Sequence, residues 1–169
     1  MIFVMFDSEA TTRAKREAIK LFKRAYQAQM IEDYETAIEL YKESIEVYPT
    51  AEAHTFLGWT YSFQGLLDEA IEECLVAISV DPTLGNPYND IGSYLIAKGD
   101  IWSCVHWFKL AMKAERYQAR AYPYFNLAKV YEQRGHLIEA AKNYGLALIE
   151  QPDYSSAEKA LRKIQGRLN

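Results

Sequence analysis

Apolar positions along the chain follow a helical spacing, and the pattern repeats itself. Phe56, Leu57, Gly58, Trp59, Thr60 and Tyr61 align with Asp90, Ile91, Gly92, Ser93, Tyr94 and Leu95, and again with Asn126, Leu127, Ala128, Lys129, Val130 and Tyr131. Seven residues past the small residue of each block stands a glycine: Gly65, Gly99 and Gly135. A second small residue follows at Ala70, Cys104 and Ala140, then alanine at Ala77, Ala111 and Ala147. The pattern predicts pairs of antiparallel helices of about 12–14 residues each, joined by a tight turn. Small residues let two helices approach to about 8–10 Å, so the two small slots should face each other inside a unit. Tyr61, Tyr88, Phe108, Tyr124, Tyr131 and Tyr144 should fill the space between successive helices.

Punctuation supports the same reading. Glycine at the turn allows the left-handed conformation that ends a helix. Pro82 and Pro152 close two of the units, and Pro87 and Pro123 fall in first turns, where proline is tolerated. A degenerate copy precedes the three clear ones, with Leu21, Ala25, Ala28, Ala37, Tyr41, Ser44 and Pro49 in matching slots and Arg24 where the others carry Leu or Ile. Beyond the last copy, Ala157, Ala160, Leu161, Ile164 and Leu168 form one stripe, predicting a final amphipathic helix that caps the array, with Asp153 or Ser155 as its N-cap.

These offsets resemble the tetratricopeptide repeat family over about four fifths of the chain. The expected fold is all-α: a right-handed superhelical solenoid of antiparallel helix pairs, with units at 18–50, 51–84, 85–118 and 121–154. Residues 1–17 are expected to form an N-terminal arm and helix extension, and 155–169 the capping helix. The resemblance also implies a concave groove lined by the first helix of each unit. The slots that match contribute Phe22 and Tyr26, then Thr55, Trp59 and Phe63, then Asn86 and Asn89, then Tyr122, Phe125 and Lys129, with Asn126 beside them. Exposed aromatics on that scale mark an interaction site, and the asparagines suit the backbone of an extended peptide. The competing expectation is that these rings pack internally, or that Met1–Phe6 folds over them. Chaperone-binding members of the family clamp a C-terminal carboxylate with lysine, arginine and asparagine. The matching slots here hold Phe22, Tyr26, Phe56, Asn86 and Asp90, or in a shifted register Thr55, Trp59, Asp90, Tyr122 and Asn126. Neither set supplies the cations, so a tail of the EEVD type is not expected. Trp102 and His106 fall on the outer helix of the third unit, as a second contact or as packing against the elongated linker at 117–120.

Composition changes this picture little. A net charge of −4 argues against a protein built to grip nucleic acid, although Arg13, Lys15, Arg16, Lys20, Lys23 and Arg24 give the first helix a basic face. No run reaches the roughly 18 apolar residues of a membrane span. Cys74 and Cys104 have neither the spacing nor the histidine partners of a metal site, which suits buried thiols in a reducing, cytoplasmic setting. No metal or other cofactor is implied. His54, His106 and His136 occupy unlike slots, and no nucleophile elbow, phosphate loop or zinc motif occurs, so catalysis is not expected. The function expected is a protein–protein interaction adaptor for a peptide. Two alternatives are a chaperone similar to the class II chaperones of type III secretion and a self-associating scaffold, with homo-oligomers forming through the N-terminal arm or the convex face.

Overall fold

The computed structural model describes residues 2–168, with side chains from Glu9 onward. Among them the chain is all helix, with no strand: α1 (Ile2–Met30), α2 (Tyr34–Val47), α3 (Ala51–Phe63), α4 (Leu67–Val80), α5 (Asn86–Ala97), α6 (Cys104–Lys113), α7 (Ala121–Gln133), α8 (Leu137–Glu150) and α9 (Ser155–Leu168). The fold class is the all-α array of helix pairs that the repeat implied. Two compact units divide the chain, Met1–Pro82 and Thr83–Asn169.

The same turn closes the first helix of each pair. Gly65, Gly99 and Gly135 have φ of 76°, 85° and 78°, and Glu32 takes φ 63° at the equivalent place in the degenerate copy. At each, two amides reach back to the helix end: Gly65 N to Ser62 O and Leu66 N to Tyr61 O, with matching pairs at 32–33, 99–100 and 135–136. These are Schellman turns, which satisfy carbonyls that the helix end would leave bare. A glycine adopts this conformation freely; Glu32 adopts it at a cost. Asp33 caps α2 by accepting from Thr36 N at 3.2 Å, and Thr50 caps α3 by accepting from Ala53 N at 3.1 Å.

In the first unit, Leu21, Ala25 and Ala28 of α1 pack on Ala37, Leu40 and Tyr41 of α2, with Leu57 of α3 against them. Gly58 sits so close to α4 that an added Cβ would lie 2.8 Å from the Ala70 carbonyl oxygen, as the facing of the two small slots predicted. In the second unit the neighbour differs: a Cβ on Gly92 would meet the Phe108 ring at 2.5 Å, rather than Cys104. Of the six bulky residues expected between helices, Phe108 and Tyr144 are fully buried; Tyr61, Tyr88, Tyr124 and Tyr131 are only partly so.

Three expectations need correction. Helix α6 starts only at Cys104, so Trp102 lies in a turn and not on an outer helix. That turn is pinned by Asp100, whose Oδ1 accepts from the amides of Trp102 and Ser103 at 3.2 and 3.0 Å. Neither Asp153 nor Ser155 caps α9: the amides of Ala157 and Glu158 bond the carbonyl of Tyr154, one residue earlier than Ser155 and one later than Asp153. Leu168 shares the face of Ile164 but is 47% exposed, because α9 buries Ala157 and Ile164 in the cluster with Tyr144 and its last residue lies beyond that packing. The linker 114–120 is a built element. Tyr117 is buried against Gly85, Arg116 forms a single parallel bridge with Leu84, and Arg120 donates to the carbonyls of Met112 and Ala114, capping the end of α6.

Candidate functional site

The first helices of the first unit present a chain of aromatic rings. Phe56 of α3 lies at its centre, meeting Phe22 at 5.1 Å and Tyr26 at 5.7 Å from α1, and Trp59 at 5.7 Å one turn along α3. Trp59 meets Phe63 at 5.3 Å, and Phe63 stacks on Tyr34 of α2 with an interplanar angle of 14°. These are edge-on and stacked arrangements that the ring quadrupoles favour. The rings nonetheless stay open to solvent at the edge: Tyr26 is 41% and Phe63 49% exposed, with Ile19 and Met30 of α1 also exposed. An apolar cavity of about 420 Å³ opens beside Phe22, lined by Ala18, Ile19, Lys23, Ser44, Thr50 and Glu52. Thr55 does not share this surface. It is 3% exposed, and its hydroxyl donates to the Ala51 carbonyl at 2.7 Å. Phe56 and Tyr34, absent from the slots the repeat assigned, complete the ladder. Their aromatic type was visible, but their contact with α1 and α3 depends on packing.

The second unit replaces aromatics with amides between its first helices. Asn126 of α7 donates through Nδ2 to Asn89 Oδ1 at 3.2 Å and to Ser93 Oγ at 3.5 Å, both on α5. Asn89 in turn donates to Asp90 at 3.4 Å. Part of the hydrogen-bonding capacity expected for a ligand is therefore spent in joining α5 to α7. Burial pushes the Asp90 carboxyl up to about 7, against the weaker lowering effect of that Asn89 bond. Asn86 stands apart, in a cleft of about 610 Å³ along the linker with Glu115, Arg116 and Gln118.

Tyr122 and Phe125 gather on Tyr154, at 5.6 and 4.9 Å, and Lys129 lies over the Phe125 ring at 5.8 Å. One turn further along α7, Glu132 accepts from the Tyr144 hydroxyl at 2.9 Å and from Lys163 of α9 at 3.2 Å, with Arg167 at 3.6 Å. Partial burial raises the Glu132 pKa, but the hydrogen bonds from Tyr144 and Lys163 and the two cationic charges outweigh it and hold the carboxylate below its ordinary range. Burial, with Glu132 as acceptor, pushes the Tyr144 hydroxyl up.

The remaining candidates lie elsewhere. Trp102 is 72% exposed and does not pack on the linker; the Arg134 guanidinium stacks on its ring at 3.7 Å and also donates to the Ile101 carbonyl. His106 is exposed and edge-on to Trp107. His54 is a buried partner, its Nδ1 2.7 Å from Glu73 Oε2. Cys74 and Cys104 are buried thiols outside any disulfide. Among the described residues no helix is long and apolar enough to cross a membrane. The expected position of Met1 over the rings, and the side chains of 2–6, lie outside what the structure describes.

The tetratricopeptide repeat model of known families matches residues 51–84. The chain is 30% identical over 110 residues to small glutamine-rich tetratricopeptide repeat-containing protein 2 of Saccharomyces cerevisiae, covering 64% of this chain and 31% of that protein. It therefore spans about a third of the length of this relative. Among solved structures, Pseudomonas aeruginosa PilF superposes with a TM-score of 0.84 at 17% identity, over 91% of this chain and 70% of that one. The first such domain of Spaghetti (RPAP3), solved bound to an HSP90 peptide of sequence SRMEEVD, superposes with a TM-score of 0.63 at 24% identity, over 70% and 93%. The family model thus matches one tetratricopeptide repeat, and helix pairs of the same build stand before and after it.

Proposed function

We propose that this chain is a non-catalytic adaptor that binds an extended segment of a protein partner on the face made by its first helices. The observation that carries this reading is the aromatic ladder from Phe22 through Phe56 and Trp59 to Phe63, whose outer rings, Tyr26 and Phe63, remain about half exposed. Rings held by neighbours and open on one side supply apolar contact without the entropic cost of ordering a flexible chain. In this reading units 18–50 and 51–84 grip the apolar anchors of the partner. Two buried thiols outside any disulfide suit a reducing compartment such as the cytoplasm.

The test uses Tyr26→Ala with Phe63→Ala. Both side chains are exposed, so helical circular dichroism should not change. A partner captured by the wild type and identified is then titrated against each purified protein. Loss of at least roughly tenfold in affinity supports the reading, as expected when aromatic anchors are truncated. Unchanged affinity overturns it.

A second reading, a chaperone that pairs through its N-terminus, draws on one observation: α1 is helical from Ile2, and its residues 9–17 are exposed apart from the half-buried Ala14. A monomer at every concentration in sedimentation would end that reading.

A further inference from the structure

We infer that the C-terminal helix does more than cap the array: with α7 it builds a cationic subsite for an acidic segment of the partner. The inference rests on reading the first helices as binding elements, and it names the chemistry that α7 with α9 selects.

A cavity of about 380 Å³ opens in the second unit between α5, α7 and α9. Ile96 and Val130 give it an apolar wall, Asn126 and Gln133 an amide rim, and Lys129, Glu132 and Arg167 its charges. Arg167 comes from the helix beyond the last repeat. Glu132 draws it in, together with Lys163, and the Tyr144 hydroxyl holds Glu132 in place. A single carboxylate thus organises two cations from α9, and Lys129 of α7 adds a third. Lys129 has no carboxylate partner among the described residues; its ammonium rests only against the Phe125 ring. Three cations against one carboxylate leave a local surplus of two positive charges, in a protein whose net charge is −4.

The surplus is directed by geometry. Lysine offers three donors and arginine five, and one shared carboxylate satisfies only a few of them. The donors left over border a cavity that already has the Asn126 and Gln133 amides on its rim. A glutamate or aspartate side chain entering beside the apolar wall would meet charge-assisted donors, whereas glutamine of the same shape would not. Charge complementarity of this kind sets partner choice and salt dependence more than total affinity. The occupant is therefore a peptide segment that alternates aliphatic and acidic residues.

The probes are a fluorescein-labelled peptide alternating leucine and glutamate, and the same peptide with glutamine replacing every glutamate. Anisotropy titrations compare the wild type with a Lys129→Gln, Arg167→Gln variant at low and high salt. The wild type should bind the glutamate peptide roughly tenfold tighter at low salt, with the preference shrinking as salt rises. The variant should lose the preference while binding the glutamine peptide as before, and Lys129→Arg should keep it. No preference in the wild type, a preference that survives in the variant, or no binding of either peptide overturns the inference. Tyr26→Ala with Phe63→Ala, run alongside, should leave the ratio of the two affinities unchanged. If that variant binds both peptides unchanged while the charge preference persists, the aromatic reading fails and the cationic subsite stands alone.

Discussion

Replacing Gly92 with alanine tests whether small residues at the helix crossing are what sets the spacing of each pair. Gly92 lies inside α5, and an added Cβ would stand 2.5 Å from Phe108 Cε1 and 2.8 Å from Cδ1 and Cζ. The ring has nowhere to go: it is fully buried in a cluster with Cys104, Leu127 and Val130. Two effects oppose each other. Alanine in a helix interior gains about 1 kcal/mol over glycine. Forcing a methyl group into a packed ring costs about 1–3 kcal/mol, because side chains or backbone must shift. The expected net loss is about 0–2 kcal/mol, or up to roughly 8 °C in Tm for a chain of this size, against a gain where nothing obstructs the methyl group. Gly145, inside α8, is the control, since nothing lies within 4 Å of its added Cβ. Gly145→Ala should therefore raise stability by about 1 kcal/mol through propensity alone. Thermal and urea melts followed by circular dichroism measure both. Phe108→Leu in the Gly92→Ala background should relieve part of the clash. If Gly92→Ala proves as stable as Gly145→Ala, close packing against Phe108 does not govern this crossing.

Other expectations follow from single features. Glu32→Gly should stabilise the chain by about 0.5–1 kcal/mol, because glycine takes the left-handed turn without the steric cost that φ 63° imposes on glutamate; a lower urea midpoint would count against it. Deleting 153–169 uncovers Ala140 and Tyr144 and forfeits the burial of Ile164, worth roughly 1.5–3 kcal/mol by itself. The truncated chain should melt earlier and self-associate in light scattering, and a stable monomer would show that α9 is not a cap. Asp90 gives a pH signature. Its folded pKa of about 7 lies above the unfolded value of 3.8, so folding favours the protonated form, and stability should fall as pH rises from about 4 to 7. Asp90→Asn should remove that slope and stabilise the protein above neutral pH by up to roughly 4 kcal/mol, since each pH unit between the two values is worth about 1.36 kcal/mol; an unchanged slope in melts across that range would refute the assignment.

The sequence alone determined the helix pairs and their turns. Those features depend on contacts a few residues apart: a glycine that must turn left-handed, a proline that cannot extend a helix, a small residue at a fixed offset. The recurrence of the offsets at Gly58, Gly92 and Ala128 made the signal strong even where one copy, with Arg24 and Glu32, had drifted. The aromatic character of Phe22, Tyr26, Trp59 and Phe63 was equally legible. What the sequence left open was how side chains far apart in the chain share a surface. Phe56 was readable as aromatic, but its place at the centre of the ladder depends on α1 lying across α3. Asn89 and Asn126, 37 residues apart, were assigned to a ligand until the crossing of α5 and α7 brought their amides together. Thr55 matched a groove slot, yet neighbouring residues bury it and its hydroxyl turns back to its own helix. Nothing in the sequence set Glu132 apart; only the fold of α9 onto α8 showed that it gathers Lys163 and Arg167. Local periodicity fixes which residues face one way along a helix. The choice of what each residue then meets belongs to tertiary packing, because the partner lies a whole repeat or more away in sequence.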